Sequence, residues 1–490
     1  MPSGSTSGLR DGSVGIVGGG FSGTMTALHI LRHARSSVRV DLFERSHRVG
    51  PGVAYGTSSA EHLLNVPARM MSGWPDEPDH FANWLIARTP GAGPGVFAPR
   101  RLYGEYLAEM LQEAAATYPD RLRMHEGEIV DVREESDGLY LGDERGDEHR
   151  VDALVLATGN SRPRDPFPVP DELRLRSVYL GDPWACDPLA GLEADADVVL
   201  IGSGLTAVDV VVDAEARGFR GRIRAVSRHG LTPSPHAPAL GPAASPFEGR
   251  ELPRTARSLL RGFRDALERD PHGPANWRAV VDALRPQISE LWRALDDAEK
   301  RRFVDRVGTY WEIHRHRVAP AVFQAVERAK STGRFRVVAG RPVGIDGDRK
   351  GAALAVASRC SGAITMEASR VVNCTGPARD VRRHESALTQ ALLARGTAIP
   401  GTLGMGLATD EHGRLKRADG QAWDRGYAIG PLLKGSLWET TAVRELRQQA
   451  ADLGRRLAER LDAPPARVVP RPHWKRMNRR SPRDVGSASD

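Results

Sequence analysis

A chain of 490 residues, 40% hydrophobic and 27% charged, is long enough for two to four domains with buried cores, and its composition excludes wholesale disorder. A net charge of +7 raises nucleic acid as a partner, but residues 464–490 hold seven Lys/Arg against two Asp, leaving +2 for the remainder. Nucleic acid is therefore not expected as a partner, and with no run of about 20 apolar residues neither is a membrane span.

In chain order, the segment up to Ser13 lacks the charged and apolar regions of a secretory signal. A strand then runs into the glycine-rich turn Gly18-Gly-Gly-Phe-Ser-Gly23, with a helix expected over Thr24–Arg35 and a second strand over Val38–Phe43. Leu102–Ala116 has helical spacing, Arg123–Asp143 alternates like a β-meander, and Val151–Leu156 reads as a buried strand before Ala157-Thr158-Gly159. The unit then recurs: a strand from Asp197, the turn Gly202-Ser-Gly-Leu-Thr-Ala207, a helix over Val208–Arg217 and a strand over Arg222–Val226. A proline-rich loop leads to Glu251–Ser331, where Leu284, Ile288, Leu291, Trp292 and Leu295 share one helical face. Strand patterns return at Arg334–Val343, Leu354–Ser358 and Arg370–Asn373, and Trp438–Leu457 closes the pattern as a long helix.

Alternating strands and helices predict an α/β chain with two Rossmann-like dinucleotide-binding domains and an all-helical insertion. The expected boundaries are 12–195 and 371–463 for the first domain, 196–231 and 332–370 for the second, 232–331 for the insertion and 464–490 for a basic, disordered tail. Cys186, Cys360 and Cys374 are far apart and form no CxxC, which argues against a disulfide framework, a zinc site or a redox dithiol and fits a cytoplasmic protein. The histidines of His314-Arg-His-Arg317 diverge on a helix, and no metal is expected.

The chemistry lies in the two glycine motifs. Gly18, Gly20 and Gly23 follow a strand and open a helix, whose free amides and partial positive charge suit a pyrophosphate. Glu44, 21 positions after Gly23, ends the next strand; its carboxylate suits ribose hydroxyls and repels a 2′-phosphate, so FAD or NAD is expected here. Gly202, Gly204 and Ala207 repeat the frame, and Arg228 lies 21 positions after Ala207. A guanidinium there selects a 2′-phosphate, hence NADPH, with His229 beside it. A hydride donor and an acceptor on one chain predict reduction of FAD by NADPH.

These motifs, together with Gly52-Val-Ala-Tyr-Gly56, His62-Leu-Leu-Asn-Val-Pro-Ala68, Phe81–Trp84, Pro99-Arg-Arg-Leu-Tyr-Gly104, Ser227-Arg-His-Gly230, Trp311 through Arg317, Val372–Pro377 and Ile429-Gly-Pro431 through Glu445, resemble the bacterial FAD/NAD(P)-binding oxidoreductases with two dinucleotide domains. That family is similar to class B flavin monooxygenases and includes nitrosuccinate-forming L-aspartate N-monooxygenases of natural-product (antibiotic) biosynthesis. The resemblance spans about residues 12 to 460. It implies that Gly18, Gly20, Phe21, Ser22 and Gly23 hold the FAD pyrophosphate, Glu44 its ribose and Ile129 its adenine. Thr158, Gly159, Gly430, Pro431 and the start of a helix at Trp438 would face the rest of FAD. Gly202, Gly204, Leu205, Thr206, Ala207, Arg228 and His229 would hold NADPH.

One departure narrows the reaction. The Baeyer–Villiger fingerprint FxGxxxHxxxW is missing, since Tyr179–Ala185 has no histidine, which favours oxygenation at nitrogen. The expected reaction is formation of a flavin C4a-hydroperoxide from O2 and transfer of its distal oxygen to the amino group of a small amino acid, L-aspartate in the sharpest form. No catalytic side chain is singled out, because the cofactor carries the hard step. A dicarboxylic substrate needs cations, and Arg69, Arg315, Arg317 and Lys434 are the candidates. The alternatives are an NADPH-dependent reductase without oxygen insertion and a flavin-binding redox sensor. The oligomeric state stays open, a homo-oligomer included.

Overall fold

The computed structural model describes residues 12–35, 38–348, 351–358 and 362–462. The predicted tail and Cys360 lie outside them. In the first half, β1 (Ser13–Val17), β2 (Arg39–Glu44) and β3 (Leu122–Glu126) precede the meander β4 (Ile129–Glu135), β5 (Gly138–Asp143) and β6 (Glu148–Val151), and β7 (Ala153–Leu156) follows. Next come β8 (Tyr179–Leu180), β9 (Val198–Ile201), β10 (Ile223–Ser227), β11 (Phe335–Ala339), β12 (Arg341–Gly347), β13 (Ala352–Ser358), β14 (Gly362–Ala368), β15 (Arg370–Asn373), β16 (Arg414–Lys416) and β17 (Ala422–Ala428).

The first sheet has the order β16-β17-β7-β1-β2-β3, and the second β11-β10-β9-β15-β8. β1, β7, β9 and β15 are buried along their whole length, as expected of parallel strands covered on both faces. In each sheet the motif strand, β1 or β9, pairs in parallel on both sides. Chain order reverses there, so the crevice at the carboxyl ends of these two strands is where ligands bind in this architecture.

Several expected segments pair differently. Arg123–Glu126, expected to start the meander, belongs to β3, which pairs in parallel with β2 at the edge of the first sheet, and the antiparallel meander is β4-β5-β6. Tyr179–Leu180 and Arg370–Asn373 both lie in the second sheet, so a boundary at 370/371 would cut β15. Helix Pro320–Ser331, assigned to the insertion, packs on the second motif helix (Leu205–Ala216) through Val322, Ala325, Val326 and Ala329 and completes the β10-to-β11 crossover. Such pairings join distant segments and leave no mark on local periodicity.

The helices of the insertion proper are Ala256–Arg269, Trp277–Ala283, Ile288–Ala294, Asp297–Arg306 and Gly308–Arg315. Pro286 interrupts the expected face with a 3-10 turn at Arg285–Gln287, yet all five apolar residues are buried together with Met405 and Trp438 of the first domain. Trp292 stacks on Trp438 at 4.6 Å and donates through Nε1 to the Gly435 carbonyl at 2.8 Å. An excursion from the second domain is thereby anchored on the first.

The last long helix starts at Val443, not Trp438. Trp438 has φ +64°, a left-handed conformation that ends helix Lys434–Leu437 and separates it from Val443–Asp462. The long helix lies against the first motif helix (Phe21–His33), where a Cβ on Gly454 would come within 2.5 Å of His29 Cβ. His29 is 2% exposed and neither ring nitrogen has a partner. Burial first, then His33 and Arg32, lowers its pKa to about 4. The unfolded chain accepts this proton near pH 6.5 and the folded chain refuses it down to about 4, so stability falls as pH drops through that window. Urea unfolding at stepped pH should show this decline, and His29→Leu should reduce its slope, the remainder coming from groups such as His236 that are shifted in the same window; an unchanged slope would assign the whole decline to those groups.

Candidate active site

The first motif helix begins with Gly20 as N-cap, no capping side chain and no acid in its first turn, which leaves its leading amides free for an anion. Gly18 has φ +107°, and a Cβ there would lie 2.3 Å from the Ala157 carbonyl oxygen, so the turn packs on the end of β7. Gly23 touches the turn itself, with its added Cβ 1.9 Å from Gly18 O. At Gly20, by contrast, the nearest atom to an added Cβ is 3.5 Å away. Glu44 ends β2; its Oε2 accepts from the Gly19 amide at 2.8 Å and its Oε1 from Ser46 at 2.9 Å, which fixes the carboxylate beside the turn.

The second motif repeats the design. Gly202 has φ +113°, with an added Cβ 2.3 Å from the Cys374 carbonyl oxygen at the end of β15. Gly204 caps the helix without a side chain and faces open space. Ala207 is fully buried where the first motif has its third glycine. Arg228 lies just past β10, exposed, with no ion pair among the described residues. His229 packs its ring 5.6 Å from Tyr310 of the insertion.

One cavity of about 1430 Å³ joins the two motifs. Gly18, Gly20, Phe21, Ser22, Glu44, Ile129, Thr158, Gly159 and Pro431 line it from the first domain, and Leu205 and Thr206 from the second. Gly23, Gly202, Gly204, Ala207, Arg228, His229 and Gly430 are not in its lining. Gly430 (φ +76°) sits behind Pro431, with an added Cβ 2.8 Å from Ser22 Oγ. The expected helix start at Trp438 is replaced in the wall by Thr441, Ala442 and Val443. Thr158 Oγ1 is buried without a hydrogen-bond partner in this wall, and with the uncapped amides it is an unmet polar group that fits a dinucleotide.

Arg69, Arg315 and Arg317 line the same cavity, whereas Lys434 does not: its ammonium lies 5.2 Å from the Trp438 ring centroid. Arg69 is exposed. Arg315 is 6% exposed; its Nη2 lies 3.1 Å from Glu439 Oε2 but off hydrogen-bond geometry, and its Nε has no partner. Arg317, equally buried, pairs with Asp282 and keeps an unpartnered Nε. The sequence reading missed Arg285, which also lines the cavity and holds Glu445 through three contacts of 2.7–3.1 Å. It also missed His236, whose Nε2 lies 2.6 Å from the Asn65 carbonyl and whose pKa burial and then Arg317 lower to about 4. Neither residue stands in a recognisable spacing; Glu445, inside a matched motif, was the one local signal. Glu312 lies on the same helix as Arg315; burial alone would raise its pKa, but His316, Lys434 and Arg379 hold it at about 2.

Comparison with known proteins places this geometry. Residues 15–161 match the family model described as FAD-NAD(P)-binding. The chain has the fold of ornithine hydroxylase from Pseudomonas aeruginosa (18% identity, TM-score 0.57, covering 92% of this chain and 99% of that one). It is also similar to ornithine N-hydroxylase from Kutzneria sp. 744, solved with reduced FAD, NADP+ and L-ornithine (14%, TM-score 0.60, 92% and 99%). Thioredoxin reductase from Lactococcus lactis shares the fold too (13%, TM-score 0.51, 91% and 99%). No curated protein matches the chain in sequence. The chain thus has the two-dinucleotide-domain fold seen in FAD-dependent oxidoreductases, and its residues 15–161 match an FAD-NAD(P)-binding domain. Among the described residues no helix is long and apolar enough to cross a membrane, and no group of three His, Cys, Asp or Glu is placed to hold a metal.

The glycines give a contrast that can be measured. Gly202→Ala should destabilise the second domain, because both its φ and the Cys374 carbonyl oppose a side chain. Gly204→Ala should leave the thermal midpoint unchanged, because an added methyl meets nothing within 4 Å, and should weaken NADPH binding if the open space before this helix receives the dinucleotide. Calorimetry and fluorescence titration check both; equal loss of stability in the two variants would contradict the assignment.

Proposed function

We propose that this protein is an FAD- and NADPH-dependent monooxygenase that oxygenates the amino group of a small acidic amino acid, with L-aspartate to nitrosuccinate as the sharpest form. The observation that carries this reading is one cavity lined both by the two motif helices and by buried arginines with N–H groups to spare. Bound FAD supplies hydride acceptance and oxygen activation.

The chain's own residues do the rest. Free amides of Phe21, Ser22 and Gly23 would hold the FAD pyrophosphate, Glu44 would take the ribose hydroxyls, Ile129 would border the adenine, and the unpartnered Thr158 hydroxyl would meet the rest of the cofactor. Pro431 and the residues before Val443 close around the flavin. Leu205, Thr206 and the Gly204 turn would receive the NADPH pyrophosphate, and Arg228, with no acid paired to it among the described residues, would take the 2′-phosphate. At the far wall, Arg315, Arg317 and Arg285 face a carboxylate-bearing substrate, and the stacked tryptophans 292 and 438 seal the insertion against the first domain and keep water out.

Holoenzyme incubated with an amino-acid panel should consume NADPH in step with N-oxygenated product for L-aspartate, with little hydrogen peroxide. Acidic amino acids that raise only peroxide would sink the oxygenase reading and leave a reductase. Arg315→Met should raise KM for the acidic substrate about 10- to 100-fold, the range of one charge-assisted hydrogen bond, while NADPH still bleaches the flavin. An unchanged KM would remove Arg315 from the substrate site.

A further inference from the structure

The second motif helix carries two buried acids one turn apart, Asp209 and Asp213, and both meet side chains of the first domain, Asp213 also lying 3.6 Å from Arg217 of its own helix. Residues 57–65 and 96–100 of the first domain form a short ribbon, joined by Leu64 N to Ala98 O at 2.8 Å and Arg100 N to His62 O at 2.7 Å. From this ribbon Arg100 grips Asp209 with both terminal nitrogens, at 2.7 and 3.1 Å, while its Nε donates to Leu63 O at 3.0 Å. Asp213 accepts from Ser59 Oγ at 2.5 Å and lies 3.1 Å from His62 Nε2, close enough for charge attraction but off hydrogen-bond geometry. Thr57 in turn holds His62 Nδ1 at 2.8 Å. Leu63 and Phe97 of the ribbon pack into the apolar cluster of the second domain.

These contacts have an energetic consequence. The Arg100 and Asp209 side chains are 12% and 8% exposed, and removing one partner of such a pair leaves the other as an uncompensated buried charge. The fork geometry of Arg100 also fixes rotation and translation of the helix, not only its proximity. That helix begins at Gly204, Leu205 and Thr206, so whatever fixes it fixes the dinucleotide cradle relative to the first motif. A misplacement of about 1 Å between reacting groups costs on the order of 100-fold in rate.

We propose that Arg100–Asp209 and Ser59/His62–Asp213 form a permanent interdomain latch, which holds the NADPH cradle in register with the flavin and lets hydride pass without domain rotation. Arg100, Ser59 and His62 are thus positioning residues. The inference rests on the reading that NADPH reduces FAD here: one hydride, carrying both electrons, would leave the nicotinamide for the flavin, giving NADP+ and reduced flavin.

The test compares holoenzymes of the wild type, Arg100→Glu, Asp209→Arg, Asp209→Asn and the double charge swap. Anaerobic stopped-flow reduction should show a limiting rate at least tenfold lower in each single variant, an NADPH Kd within threefold of wild type, and recovery in the swap. Small-angle scattering should give one radius of gyration for wild type with or without NADPH and a larger one for the single variants. Weakened NADPH binding with an unchanged limiting rate would make Arg100 a direct phosphate contact and overturn the latch. A swap no faster than the single variants, or a wild-type radius that changes on adding NADPH, would also overturn it. If NADPH fails to reduce even the wild type, the functional reading falls, and the scattering still decides the latch: single variants as compact as wild type would refute it.

Discussion

Two helices in this protein begin directly after a buried strand, and neither has a side chain to satisfy its first amides. The constraint that creates them is steric. Gly18 and Gly202 adopt positive φ and press their Cα atoms against the carbonyl groups that end β7 and β15. No Cβ fits at either place, so the chain turns tightly and the amides point outward into the crevice. The sheet order then decides what the amides face: each motif strand sits where strand order reverses, and the two crevices open into one cavity. The positions of Glu44, Thr158, Leu205 and Thr206 follow from that arrangement.

The rest of the architecture keeps the two crevices facing each other. Arg100 and the Ser59–His62 segment tie the second motif helix to the first domain. The helical insertion returns from the second domain to the first, where Trp292 stacks on Trp438 and Arg285 holds Glu445. These contacts also assemble the far wall, since Arg285, Arg315 and Arg317 sit on or next to insertion helices whose opposite faces are apolar and buried. Their acidic partners Asp282, Glu439 and Glu445 neutralise most of the charge, but the bonds made are fewer than the donors present. A guanidinium held in this way is orientated without being saturated.

Much of this was legible in the sequence because its signals are local. The glycine spacing, the strand before it and the helix after it all lie within about a dozen residues, and Glu44 and Arg228 sit at the same distance from their motifs. What was hidden is set by contacts between distant segments. Tyr179–Leu180 joins the second sheet by pairing with β15, nearly 200 residues away, and Arg123–Glu126 leaves the meander for β2. The break at Trp438 depends on a left-handed backbone in a residue type that rarely adopts it, held by the stack on Trp292. Lys434 was a reasonable cation beside Gly430-Pro431 until that break turned its helix and set its ammonium against Trp438. Arg285 had no motif to announce it.

The central claim is that the two motifs serve one hydride transfer across the shared cavity. Anaerobic mixing of the holoenzyme with NADPH deuterated at C4 of the nicotinamide tests it most directly, with flavin absorbance as the readout. The account predicts rapid bleaching with a primary isotope effect for one C4 stereoisomer and none for the other. Bleaching without an isotope effect for either, or bleaching only with an added electron mediator, would contradict it.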